Sequence, residues 1–207
     1  MTTKTIYLIR HGQTDYNKQG IVQGSGVDTH LNETGLLQAK AFYQSYHHIP
    51  FEHIYTSNLQ RTHQTVEPFK DKNIPMEVLS ELNEINWGEL EGQIPSEFSK
   101  KQFYQQVTRW REGFLNESVH GGETPLQMHE RQKKGLEIIE KNTASPILIC
   151  MHGRAMRGFL CLLTGQSLSK MDDFPHDNLS LYVLEKPIHQ KSYTIITSNS
   201  LDHLQHI

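Results

Sequence analysis

Two short apolar runs restrict this chain more than any other feature of its sequence. Ile6-Tyr7-Leu8-Ile9 and the stretch from Pro146 to Met151 are apolar at successive positions, as strands covered on both faces must be. Each run ends at the same pair, His11-Gly12 and His152-Gly153. Helical patterns lie between such runs. Asn32 is placed to cap a helix carrying Leu36, Ala39, Tyr43 and Tyr46 on one face. A short strand near His53 to Thr56 is followed by Ser57-Asn58-Leu59-Gln60, the pattern of a capping box with Ser57 as N-cap. Met76 to Leu79 reads as another strand, and Phe103, Val107, Trp110 and Phe114 mark an apolar helical stripe between about Pro95 and Gly113. Thr124-Pro125-Leu126-Gln127 opens a helix that runs to about Asn142, with Pro at its first position. Ala155 to Leu163 is a helix stopped by Gly165, and Leu179 to Glu185 and Ser192 to Thr197 read as two strands joined through Pro187. Strands alternating with helices define an α/β three-layer sandwich, with a mostly parallel central sheet and helices on both faces. Ligands of such sheets bind beyond the carboxyl ends of the strands.

Composition removes several classes of function. The 207 residues carry a net charge of −3 and no dense Lys/Arg block, so a nucleic-acid partner is not expected. Cys150 and Cys161 are the only cysteines, too few for a disulfide scaffold, and both sit in apolar runs that read as core. There is no secretory signal before Ile6 and no apolar stretch near the ~20 residues that span a bilayer. A soluble, cytoplasmic, single-domain protein without a membrane partner is expected.

The two His-Gly pairs share the ligand edge with Arg10 and with Arg61, the latter in the first turn of the helix after Thr56. Two imidazoles and two guanidinium groups suit a dianion, and phosphate fits best, because the planar Arg fork matches phosphate oxygens. One neutral His can then attack phosphorus in line while the other donates to the transferred group, provided an acceptor fixes the nucleophile's tautomer. A general acid for the leaving oxygen is expected among Glu81, Glu84, Glu89 and Glu91, whose order alone does not choose between them. The rival reading, a facial metal triad of two His and a carboxylate, fails on spacing: no His is followed two positions on by Asp or Glu, and Arg10 would repel a cation. His47, His48, His203 and His206 are expected to face solvent.

Five blocks in this order resemble the histidine phosphatase superfamily, which includes the cofactor-dependent phosphoglycerate mutases. They are Leu8-Ile9-Arg10-His11-Gly12-Gln13-Thr14 with Asn17 and Gln23-Gly24; Thr56-Ser57-Asn58-Leu59-Gln60-Arg61-Thr62; Leu82-Asn83-Glu84 with Gly88 and Glu91-Gly92; Gly121-Gly122-Glu123-Thr124; and Met151-His152-Gly153. The resemblance implies that His11 is the phosphorylated nucleophile, that Arg10, Arg61, His152 and Asn17 hold the phosphoryl group, and that Glu84 is the proton donor. It implies that Gln23, Gly24 and Gly153 line the pocket, that residues about 90–122 form a short helical cap, and that neither a metal nor another cofactor takes part. Gln13 stands where the family frequently has Glu, from which a tuning effect is expected. Arg154 follows His152-Gly153 where smaller residues are frequent, and reads equally as a substrate contact or as an outward helix-start residue. Arg157 reads as structural or solvent-facing. Lys100, Lys101, Arg109 and Arg111 of the cap are candidate anion contacts or a solvated face.

The short cap and Trp87-Gly88, where mutases carry Tyr-Gly, place the resemblance in the phosphatase branch. The expected activity is metal-independent hydrolysis of a small phosphomonoester. The alternatives are a bisphosphoglycerate-dependent mutase and a non-catalytic phospho-ligand-binding module on the same fold.

Overall fold

The computed structural model describes residues 3–207. β1 (Thr3–Arg10), β2 (His53–Thr56), β3 (Met76–Val78), β4 (Ile147–Met151), β5 (Leu181–Pro187) and β6 (Thr194–Ser200) form a single sheet in the order β3-β2-β4-β1-β5-β6. β3, β2, β4 and β1 pair in parallel, whereas β5 runs antiparallel to both β1 and β6. The two runs singled out in the sequence are the central neighbours, paired from Ile6 with Ile147 to Arg10 with Met151.

Alternation along these two strands builds two cores. Ile6 and Leu8 of β1 and Ile147, Ile149 and Met151 of β4 face one side. There they meet Met128 and Ile139 of α5 (Pro125–Lys141) and Met156, Phe159 and Leu160 of α6 (Gly153–Thr164). Ile9, Leu148 and Cys150 face the other side, against Ala39 and Phe42 of α2 (Glu33–Tyr46) and Val66 of α3 (Gln60–Val66). Helices on both faces of a mostly parallel sheet give the expected α/β sandwich. Both cysteines are buried and unpaired. Between β3 and α5 the chain adds α4 (Glu97–Arg111), which is capped by Ser96 and whose Trp110 packs on Trp87 at 5.1 Å between ring centroids. Among the described residues, no helix is long and apolar enough to cross a membrane.

The structure corrects four local readings. The Ser57 capping box does not form: α3 starts at Gln60, and Ser57 Oγ instead accepts from Leu59 N–H and meets His152. On α2 the buried stripe runs through Gly35, Ala39 and Phe42, leaving Leu36 half exposed. Phe114 lies beyond the end of α4, partly exposed under the Arg109 guanidinium. His203 is buried, edge-on to Phe42, with Nε2 donating to Leu179 O; the other three histidines expected at the surface are exposed.

Candidate active site

Four chain segments meet at the carboxyl edge of the parallel strands. β1 delivers Arg10 and His11. His11 is fixed through its main chain, its N–H donating to Met151 O at 2.9 Å and its carbonyl accepting from Asn178 Nδ2 at 3.0 Å. The turn that follows packs against the start of α2 so closely that a Cβ on Gly35 would lie 2.1 Å from Gln13 O. Only glycine permits that approach. The Gln13 side chain accepts from Asn32, the N-cap of α2, and does not line the cavity. Thr14 caps α1 (Asp15–Gln19) in a box with Asn17, whose Oδ1 also accepts from Asn178. The Asn17 carbonyl oxygen is thus occupied by the protein, leaving its amide N–H groups for a ligand.

The acceptor that the sequence left open is the neighbouring carbonyl. His11 Nδ1 lies 2.7 Å from Gly12 O. A carbonyl can only accept, so the proton sits on Nδ1 and Nε2 carries the free lone pair. Burial, followed by the charges of Arg61 and Arg10, holds the His11 pKa well below the ordinary histidine value. The imidazole is therefore neutral, as a nucleophile must be.

Arg61 and His152 form a buried floor. Arg61 is fully buried; its Nε donates to His152 Nδ1 at 3.2 Å, and its terminal nitrogens donate to Val27 O and Gly24 O at 2.7 and 3.3 Å. His152 consequently holds its proton on Nε2, 2.7 Å from Ser57 Oγ, and its ring lies 5.2 Å from that of His11. Burial, with Arg61 next, also keeps His152 neutral. Desolvation pulls the Arg10 pKa down to about 10, against the opposing charge of Glu84, so Arg10 remains a cation at neutral pH.

Of the four candidate glutamates, the fold selects Glu84 for this edge. The buried Leu82 and Ile85 anchor its loop on either side. Arg131 of α5 clamps the loop from behind, donating to Glu81 O at 2.7 Å and Glu84 O at 3.1 Å while paired with Glu123 at 2.7 Å. The Gly121-Gly122-Glu123-Thr124 block thus works from outside the cavity: Glu123 holds Arg131, and Thr124 caps α5. The Glu84 carboxyl oxygens accept from the N–H groups of Ile85, Arg154 and Ala155 at 2.7–3.0 Å, the last two at the start of α6. Glu91 turns away to Trp87 N–H.

The resulting cavity, about 220 Å³, is lined by Arg10, His11, Asn17, Gln23, Glu84 and Gly153, among others. Arg61 and His152 lie beneath its surface. Gln23 reaches the wall, but its amide is bonded to Thr14 and Thr29. Gly24 contributes through its carbonyl on Arg61 and is not a lining residue. The sequence reading missed His176, whose Nδ1 accepts from Arg10 at 3.1 Å and whose ring closes over Gly153. It also left Arg154 undecided. That residue points inward, buried and paired with Asp172, and it lines the cavity. Arg157 joins the same carboxylate from a half-buried position. None of the four cap cations lines the cavity, and Arg109 is tied to Glu117. Among the described residues, no group of three or more His, Cys, Asp or Glu side chains is arranged to hold a metal.

Three neutral histidines, His11 and His152 buried and His176 half-buried, have a consequence for stability. The pKa of His176 is pulled down to about 2, by burial first and then by Arg10, and those of His11 and His152 also lie well below the ordinary value. Below roughly pH 6.5 the unfolded chain binds protons that the folded one refuses, so stability falls as the pH falls. The slope reaches about 1.4 kcal/mol per pH unit for each group that stays neutral. Urea unfolding followed from roughly pH 7 to pH 5 should show this loss; a flat profile would contradict the neutral state of all three.

The sequence matches the histidine phosphatase superfamily (branch 1) over residues 6–199, and the chain belongs to that family. It is 30% identical to phosphoserine phosphatase 1 of Hydrogenobacter thermophilus over 201 residues, covering 96% of this chain and 93% of that protein. In fold it resembles the alpha-ribazole phosphatase of Shigella flexneri, with a TM-score of 0.80 at 24% identity over 95% of this chain and 96% of that one. It also resembles a mycobacterial glucosyl-3-phosphoglycerate phosphatase, with a TM-score of 0.82 at 21% identity over 96% and 100%.

Proposed function

We propose that this chain is a metal-independent phosphomonoesterase that works through a phosphohistidine on His11. The observation that carries this reading is the 2.7 Å bond from His11 Nδ1 to Gly12 O, which leaves a neutral Nε2 lone pair on a residue that lines the cavity. Similarity to phosphoserine phosphatase 1 supports a small phosphorylated metabolite as the substrate class.

In the first half-reaction, Nε2 forms a bond to phosphorus as the bond to the ester oxygen breaks. Glu84 gives that oxygen a proton, and the alcohol leaves. Arg10 and the Asn17 amide take the phosphoryl oxygens, backed by the charge of Arg61 beneath them, while His152 underlies the site beside His11 and holds the Arg61 fork in place. Charge spread over the equatorial oxygens is stabilised by donors fixed before the substrate arrives. In the second half-reaction Glu84, now a carboxylate, takes a proton from water; the resulting oxygen attacks phosphorus, and Nε2 departs with its electron pair. The Arg and His residues supply all the positive charge this requires. Gln23, Gly24 and Gly153 shape the pocket, and residues about 90–122 act as the cap of what we read as one catalytic domain.

The test is hydrolysis of p-nitrophenyl phosphate in EDTA, with Glu84→Gln assayed on esters of differing leaving groups. The wild type should stay active in chelator. The variant should lose on the order of 10²–10⁴-fold with alkyl phosphates and far less with aryl phosphates, whose phenolate leaves with little protonation. Equal losses in both classes would remove Glu84 from the acid's role. An inert wild type that instead isomerises 3-phosphoglycerate with its bisphosphate primer would make the chain a mutase.

A further inference from the structure

We infer that the cavity holds a second anion subsite built on Arg154, and that the preferred substrate is a phosphomonoester whose leaving group carries an acidic group of its own. This deepens the phosphatase reading and rests on it for the position of the phosphoryl group.

Arg154 is only 7% exposed, yet it lines the cavity. A guanidinium taken out of water needs partners, and this one is only partly supplied. Its contact with a charged group is to Asp172 Oδ1 at 2.6 Å, and Arg157 draws on that same oxygen. Two cations therefore share one carboxylate, whose second oxygen is buried and without a hydrogen-bond partner among the described residues. The Arg154 guanidinium carbon sits 5.6 Å from the centre of the Trp110 ring and 5.9 Å from that of Trp87. These rings fix its position and exclude water without neutralising it. The result is an oriented cation with donors to spare: Asp172 takes one of the five N–H groups that a guanidinium offers.

Its placement separates it from the phosphoryl site. Arg10 lines the cavity beside His11 and Arg61 lies under it through His152, whereas the Arg154 main-chain N–H donates to Glu84 Oε2. The Arg154 guanidinium lies by Trp87, which lines the same cavity as Glu84, so it stands on the acid's side, where the alcohol leaves. His176 adds a neutral donor there: its Nδ1 accepts from Arg10, which leaves the proton on Nε2, next to Gly153. A carboxylate or second phosphate on the leaving group completes the charge balance that Asp172 leaves open.

The test measures binding, so it reads out whether or not the enzyme turns over. Calorimetry compares 3-phosphonopropionate with propylphosphonate, which differ in the second acid. The wild type should bind the diacid about tenfold or more tightly, and Arg154→Gln should abolish that preference. Arg154→Lys should keep part of it, and Arg109→Gln, altered in the cap outside the cavity, should keep all of it. Equal affinities in the wild type would overturn the inference, as would a preference that survives in Arg154→Gln or is lost equally in Arg109→Gln. Hydrolysis of p-nitrophenyl phosphate by the wild type judges the phosphatase reading separately.

Discussion

His11→Ala abolishes turnover of phosphomonoesters, by on the order of 10⁴-fold or more in kcat/KM, and abolishes covalent labelling as well. The expected loss is large because the replaced group forms the bond, and no other side chain at the cavity offers an equivalent lone pair. His152 cannot substitute for it: Nδ1 is engaged by Arg61, and Nε2 carries the proton that faces Ser57. Water would have to attack directly, without a base placed for it on the face opposite the leaving group. The variant should still fold. Among the described residues the imidazole's only hydrogen bond is to the adjacent carbonyl, while main-chain bonds to Met151 and Asn178 hold the turn. Acid-lability distinguishes the intermediate: wild type quenched with labelled substrate in base should retain label that acid removes, and the variant should retain none. Activity within tenfold of wild type would overturn the assignment.

Arg61→Ala damages both rate and stability, and should be the most destabilising single change at the site. The guanidinium is fully buried and satisfies three acceptors: His152 Nδ1, Val27 O and Gly24 O. Removing it leaves these groups facing a cavity, at about 1–3 kcal/mol for each one that water fails to reach. The loss of stability should therefore be on the order of 3 kcal/mol, together with a fall in kcat/KM of at least about 10²-fold. Arg61→Lys restores the charge but cannot span three divergent acceptors, so it should recover stability only in part. Urea denaturation of both variants checks this. A loss below about 1 kcal/mol for Arg61→Ala would mean that the floor is wet and the three bonds are dispensable.

The parts legible in the sequence are those decided by short-range physics. β1 and β4 are covered on both faces, so burial shows as unbroken apolar runs that need no partner to be read. The Thr124-Pro125-Gln127 start of α5 is equally local, since a capping box closes within four residues. Ser57 fails by the same logic. Its hydroxyl had a local offer and a distant one, and His152, 95 positions away, prevailed. His203 was misjudged because an imidazole carries no apolar signature, and its burial is created by Phe42 and Leu179 O. The glutamates were equivalent until Arg131, nearly 50 residues on, fixed one loop among them. His176 follows no motif. It was reachable only through topology: a loop that leads into an antiparallel strand beside β1 must end at the edge where β1 ends.

The late return of β4 and β5 to β1 has a consequence in time. The pairing of Ile6 with Ile147 and the bond from Asn178 to the His11 carbonyl close loops of well over a hundred residues. Contacts of such separation form late and cooperatively, after the entropy of closing the chain has been overcome. A growing polypeptide that has exposed His11, Arg61 and Glu84 still lacks the strand that seats the first and the helix start that receives the third. Competence should therefore arrive in one step, with the closing of the sheet, and a half-made chain should carry no stray reactivity.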